Sequence, residues 1–293
     1  MSGPPLFSII TPTYQGARFI PRCHWSLLQQ QVGDWEWVVV DDASTDGTQE
    51  IIKSLGDERI RYFRFDTNQG RGLARDHALH QARGQWSVIL DMDDLCFPDR
   101  LTHAREAQLR GEQFLCSPLA LIDDAYRLCG VRGFTNASYP RSFPHATLCG
   151  GSDLLRRIGY PAYRRAQDQT MVLTLANNHA GHYCQEPLYI YHENANARLG
   201  DAFAGQYYMH KQLRELTRRG VLKPGREMQR AQFGRVVRML GLLPFFLCPP
   251  LYKLTVKRRA NLDPGTVQRM DPARRQFLAE CAQLFPLADR GAL

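Results

Sequence analysis

The chain has 293 residues, enough for one large domain or one domain with an appendage, and its 44% hydrophobic and 23% charged content excludes disorder as the main state. Eight scattered cysteines with no C-x-x-C pair argue against a zinc ribbon or a compact disulfide framework, and favour a reducing compartment. The net charge of +8 is uneven: residues 211–293 hold 17 Lys/Arg and 6 Asp/Glu, against 20 and 23 in residues 1–210. A basic tail on a near-neutral body points to an anionic surface as partner.

Pro4 and Pro5 precede a strand-like run with no basic leader, so no signal peptide is expected and the cytoplasm is the default location. Leu6–Thr11 reads as a buried strand that Pro12 ends. Ile20, Cys23, Leu27 and Leu28 then fall at helical spacing between Arg18 and Gln31, with Pro21 tolerable in a first turn. Trp35–Val40 is the next strand and ends in Asp41-Asp42; Ser44 or Asp46 can cap the helix that carries Ile51, Ile52 and Leu55. Ile60–Phe65 predicts a third strand, Leu73–Ala82 a helix, and Trp86–Leu90 a fourth strand ending in Asp91-Met92-Asp93-Asp94. Alternation with short connections implies an α/β fold with a mostly parallel, doubly wound sheet flanked by helices. Ligands of such sheets bind beyond the carboxyl ends of the strands, where both acidic clusters lie. Residues 111–200 are less regular, with a helix near Gln169–Asn177, and basic helices follow from about residue 205.

Three carboxylates at one strand end repel one another, and a hard divalent cation, Mg²⁺ or Mn²⁺, bridging to a diphosphate relieves that repulsion. The alternative is a cap for the helix starting near Pro98, a role Asp99 fills as well. Asp41-Asp42 could accept hydrogen bonds from the base and ribose of a nucleotide, or serve as turn chemistry in Asp-Asp-Ala-Ser-Thr-Asp-Gly. In Asn68-Gln69-Gly70-Arg71-Gly72 the glycines permit close backbone approach, and Arg71 or Arg75 could neutralise a diphosphate; a plain loop–helix junction, with Arg75 pairing to an acidic strand end, is the other reading. Neither a dinucleotide fingerprint nor a Walker loop is present.

Taken in order, SIITPTYQ (8–15), VVVDDASTDGT (38–48), NQGRGLARD (68–76) and LDMDD (90–94) resemble the inverting family 2 glycosyltransferases of the GT-A fold. The resemblance runs on through Gly150-Gly151, Gln167-Asp168 and Tyr191-His192, over about residues 6–198. It implies a GT-A catalytic domain over 1–205 and a basic helical extension over 206–293. It also implies a nucleotide-sugar donor, of the uridine type by family habit alone, and a glycan or lipid-linked acceptor. Pro12 and Asp42 would line the base pocket, and Tyr14, Arg71 and Arg75 would belong to the same donor site. Asp91 and Asp93 would form the Asp-x-Asp element, Asp93 towards the ribose, with Asp94 the closest metal ligand. Asp168 takes the place of the catalytic base and His192 that of a histidine closing over metal and diphosphate. A helix N-cap for Asp168 and an exposed loop position for His192 remain the plainer readings. The chain departs from the family where Gln167 replaces one carboxylate of the usual pair, where Asp76 replaces an asparagine, and where a Q-x-x-R-W element is missing, which favours transfer of one sugar per binding event.

Met239–Tyr252 is too short, and too broken by Pro244, Pro249 and Pro250, for a span of about 20 residues. With Arg235, Arg238, Lys253, Lys257, Arg258 and Arg259 around it, it reads either as an apolar wedge on an anionic membrane or as a helix–loop packed on the core. A metal-dependent nucleotidyltransferase and a non-catalytic nucleotide-sugar binder are the competing functions. Nucleic acid is not expected, because no aromatic-interleaved recognition motif accompanies the basic tail.

Overall fold

A computed structural model describes residues 3–123, 125–133, 141–161, 167–192, 199–242 and 270–285. Two sheets stand at its centre. The larger joins β1 (Phe7–Thr13), β2 (Trp35–Asp41), β3 (Ile60–Arg64), β4 (Trp86–Ile89), β6 (Phe114–Cys116), β9 (Cys149–Gly151) and β10 (Gly181–Tyr183). Their order is β10-β6-β9-β4-β1-β2-β3, parallel throughout except for β9, which runs against both β4 and β6. The expected mostly parallel α/β sheet is therefore present. The smaller sheet, in the order β5-β11-β7-β8, joins β5 (Leu95–Cys96), β7 (Leu119–Ile122), β8 (Leu128–Arg132) and β11 (Tyr189–His192).

Helices α1 (Ile20–Leu28), α2 (Thr48–Ser54), α3 (Arg71–Gln81), α4 (Arg100–Leu109), α5 (Ser152–Ile158) and α6 (Asp168–Asn178) connect or flank these strands. Strands β1 and β2 are buried along their whole length, as apolar runs covered on both faces must be. Ile9, Trp37, Val39 and Val88 belong to one apolar cluster, and Ile10, Val38, Val40 and Ile89 to another, because alternate residues of a strand face opposite sides.

Pro12 does not end β1. Beyond Ile10 the β4 side has no paired residue, so β1 becomes an edge facing only β2, and Pro12 sits opposite Val40 without needing an N–H on the open side. This extension carries Pro12 and Thr13 out to the sheet's carboxyl edge.

The tail divides in two. Helices α7 (Leu199–Arg218) and α8 (Arg226–Leu242) pack together, with Leu213, Leu216, Leu222 and Met228 gathered on Leu173 of α6. The division expected between 205 and 206 falls within α7. Helix α9 (Pro272–Leu284) instead returns to the smaller sheet. Its Phe277 stacks on Trp25 at 4.9 Å between ring centroids, and buried Arg274 donates to Asp99 at 2.6 Å and to the Pro187 carbonyl. Asp99 thus holds α9 and makes no side-chain cap to α4. Most of the expected wedge, residues 243–252, lies outside the described residues, as do Lys253, Lys257, Arg258 and Arg259.

Candidate active site

The carboxyl ends of β1, β2 and β4 meet at a cavity of about 180 Å³ whose lining includes Pro12, Thr13, Tyr14, Asp42, Arg71, Asp91 and Asp93. Enclosed small-molecule pockets typically run to about 300–1,000 Å³, so a nucleotide-sized ligand would rest here partly exposed.

Two loops make the β1–β2 wall by locking to one another. The Gln15 N–H donates to Ser44 Oγ at 2.9 Å, its side-chain oxygen accepts from the Thr45 N–H at 3.0 Å, and Ala17 N–H donates to Asp46 at 3.0 Å. Gln15 and Ala43 both carry left-handed φ angles, 54° and 66°, backbone strain of the kind held at sites by surrounding contacts. A Cβ at Gly16 would stand 2.1 Å from Thr13 Oγ1, so a side chain there would force Thr13 to turn. Asp46 also accepts from the Thr48 N–H at 3.2 Å, at the start of α2.

Asp41 and Asp42 are both turned to the protein. Asp41 accepts from the Ser44 N–H at 2.8 Å and the Tyr62 hydroxyl at 2.5 Å. Asp42 lies at the cavity wall, yet its two oxygens accept the N–H groups of Gln69 at 2.6 Å and Gly70 at 2.8 Å. Gly70 has φ +96°, a conformation that suits glycine. The expected nucleotide acceptor is thus also the anchor of the loop that starts α3 and presents Arg71.

Arg75, expected at a diphosphate, points inward. It is 2% exposed, donates from Nη2 to Asp91 Oδ1 at 2.6 Å, and lies over the Tyr160 ring at 5.6 Å. Burial opposes ionisation of Asp91, but Arg75 and then Arg71 outweigh it and hold its pKa down to about 2. Tyr160 donates or accepts a 2.8 Å hydrogen bond with His145 Nε2, and burial followed by the charge of Arg75 holds His145 down to about 4, so it is neutral. Asp76, which stands where the family has asparagine, accepts from the Tyr160 N–H at 2.9 Å.

Asp93 is exposed at the cavity, whereas Asp94 is 1% exposed. Asp94 accepts from the Tyr189 hydroxyl at 2.6 Å and from the backbone N–H of His192 at 2.9 Å. Desolvation, then Asp91, raises the pKa of Asp93; desolvation, then Asp93 and Asp91, raises that of Asp94 well above the carboxylate range. Among the described residues no three His, Cys, Asp or Glu side chains form a metal-ligand group. His192 meets Asp94 through its main chain. What remains is an open site, and it fits Mg²⁺ or Mn²⁺ held by one or two carboxylates and a ligand's phosphates. The raised pKa values of Asp93 and Asp94, which burial and then the neighbouring carboxylates push up, are the observation behind that fit.

Asp168 begins α6 as its first helical residue, with Gln167 at the N-cap position, and accepts from the Gln169 side chain at 3.0 Å. It does not line the cavity, but its charge acts on Arg75, Tyr160 and His145. Sequence reasoning missed Tyr189, Tyr160, His145 and Arg22, whose guanidinium donates to the Asp93 carbonyl at 2.5 Å. None belongs to an acidic or glycine-rich motif, and only the fold brings them to the β4 end.

Residues 8–147 match the family described as Glycosyl transferase family 2. Over 145 residues the chain is 35% identical to the succinoglycan biosynthesis protein ExoO of Rhizobium meliloti, covering 49% of this chain and 41% of that protein. Over 112 residues it is 40% identical to a PGL/p-HBAD biosynthesis glycosyltransferase of Mycobacterium bovis, covering 37% and 43%. The chain therefore spans well under half the length of these relatives. Among solved structures it resembles a mannosyltransferase of Pyrobaculum calidifontis in complex with GDP-Man and Mn²⁺, with TM-score 0.58, 16% identity, and 97% and 81% of the two chains covered. It also resembles residues 1–349 of S. aureus TarS in complex with UDP-GlcNAc, with TM-score 0.57, 18% identity, and 95% and 80% covered. These likenesses establish the GT-A fold.

Proposed function

The chain carries a glycosyl transferase family 2 domain, and on that premise we propose that it moves a single sugar from a UDP-sugar donor to an acceptor hydroxyl with inversion. The acceptor is a glycan or a lipid-linked sugar of a bacterial-type surface polysaccharide or glycolipid. The observation that carries this reading is the convergence of Pro12, Tyr14, Asp42, Arg71, Asp91 and Asp93 on one cavity at the sheet's carboxyl edge. The catalytic unit is residues 1–205, and α9 braces it from the tail.

In this reading Pro12, Thr13 and Tyr14 bound the nucleoside and Arg71 meets the diphosphate. Asp91, fixed by Arg75, and Asp93 orient the ribose and phosphates. A divalent cation held by Asp93, with Asp94 beside it, would supply charge stabilisation for the departing diphosphate. Asp168 takes the hydroxyl proton as the new C1–O bond forms and the C1–O bond to the diphosphate breaks on the opposite face. Among the described residues its carboxylate accepts from the Gln169 side chain and from no backbone N–H of α6, which supports that role. His192 lies beside Asp94 and closes that side of the site.

The test is a panel of UDP-, GDP- and TDP-sugars with Mn²⁺, read by thermal shift; a ligand at about 100 times its dissociation constant adds about 2.7 kcal/mol. A UDP-sugar should stabilise the protein and release UDP in the presence of acceptor. Asp168→Asn should bind the same donor while transferring at least about 10²-fold more slowly. Release of free pyrophosphate would show a nucleotidyltransferase, and binding with neither product would show a binding protein.

A further inference from the structure

The inner face of α8 is occupied. Met228 is buried against α6 and α7, and Arg235 donates from Nη1 to Gln206 Oε1 of α7 at 3.0 Å. Its outer face is not. Phe233, Val237 and Leu240 are 70%, 48% and 58% exposed. Arg226 and Arg230 are exposed as well, one and two turns earlier. At 3.6 residues per turn all five lie within an arc of about 80°. One face of one helix is therefore basic in its first half and apolar in its second.

We propose that this face docks on an anionic lipid bilayer, with Phe233, Val237 and Leu240 entering the headgroup–acyl boundary and Arg226 and Arg230 meeting lipid phosphates. Charge complementarity selects the occupant: residues 211–242 hold nine Lys/Arg and two Glu. Attachment is at the surface, since no helix among the described residues is long and apolar enough to cross a membrane. The proposal is independent of sugar transfer: it concerns α8, remote in sequence from the cavity residues, and its readout is lipid binding.

The experiment is co-sedimentation of the full chain with vesicles of equal phosphatidylglycerol and phosphatidylcholine, and with phosphatidylcholine alone. The chain should sediment with the first and stay in solution with the second. Arg226→Gln with Arg230→Gln should weaken binding about fivefold per arginine and flatten its salt dependence. Phe233→Gln with Leu240→Gln should weaken it at least about tenfold, with the melting temperature unchanged because both side chains are exposed. Equal binding to the two vesicle types, or binding indifferent to the apolar pair, overturns the proposal. So does a lower melting temperature in that pair with vesicle binding intact, which would show the stripe covered by another part of the chain. A dimer in gel filtration that the apolar pair converts to monomer, without lipid binding, would assign the face to a second copy.

Discussion

The ends of β2 and β4 carry the same kind of sequence, a run of aspartates after a buried apolar strand, and they do different work. At the β2 end, Asp41 and Asp42 sit among donors supplied by their own neighbourhood: the N–H groups of Ser44, Gln69 and Gly70, and the Tyr62 hydroxyl. Their charge is used to shape two loops. At the β4 end the donors are fewer than the carboxylate oxygens. Arg75 serves Asp91 and Tyr189 serves Asp94, while Asp93 stays exposed with its pKa raised. The number of hydrogen-bond donors within reach, not the number of acids, decides which end keeps capacity for a ligand.

Removing the cation behind β4 should have the largest effect. Arg75→Met leaves Asp91 without its partner, and urea denaturation should show a loss of about 3–5 kcal/mol, with Arg75→Lys intermediate. A loss below about 1 kcal/mol would mean that water satisfies Asp91 and that the β4 end is less constrained than described.

Asp93→Asn should act on turnover and leave the fold intact. Sugar transfer should fall about 10²–10³-fold, the range for loss of one pre-organised electrostatic contact, while the melting temperature holds or rises because an unfavourable charge is gone. EDTA should lower donor affinity of the wild type by calorimetry and leave the variant little changed. Full turnover in EDTA would remove the metal from this end.

Acid should reveal the buried histidine next to Arg75 and Tyr160. Its folded pKa of about 4 lies below the ordinary 6.5, so between those values the unfolded chain binds more protons than the folded one. Stability is full above about pH 6.5 and declines as pH falls towards 4, by up to about 3 kcal/mol for a shift of this size. His145→Gln can keep the Tyr160 hydrogen bond and should flatten that decline. An unchanged profile would place the acid sensitivity elsewhere.

The smallest effect is expected at β2, and it should be of the opposite kind to that at Asp93. Asp42→Ala removes two hydrogen bonds to a carboxylate and should cost about 2 kcal/mol, with Asp42→Asn costing less because one oxygen remains. Donor affinity should change only through the 68–71 loop. An Asp42→Asn variant of full stability that no longer binds donor would break the contrast and return Asp42 to direct recognition.

The alternation of apolar runs and amphipathic helices, read from the sequence, was enough for the α/β class, because a strand buried on both faces has to be apolar throughout and each crossover needs a helix. Asp91 and Asp93 could be assigned to a ligand site from their position after a strand, since a parallel sheet gathers those ends on one edge; Arg71 followed from the glycine-rich loop before α3, and Pro12 from the family resemblance alone. Tertiary structure alone decided which partner each polar side chain meets. Arg75 reads equally as a diphosphate contact or as the partner of an acidic strand end, and the fold pairs it with Asp91; Asp99 looks like a helix cap and is instead the partner of Arg274. Asp168 can be read as a cap or as a base, and the fold places it as the first residue of α6 with Gln167 at the N-cap position. A hydrogen bond depends on which donor arrives within about 3 Å, and the donors here come from residues as distant as Tyr189 and α9. Periodicity reports which face of an element is apolar; it carries no information on what a polar side chain meets across the fold.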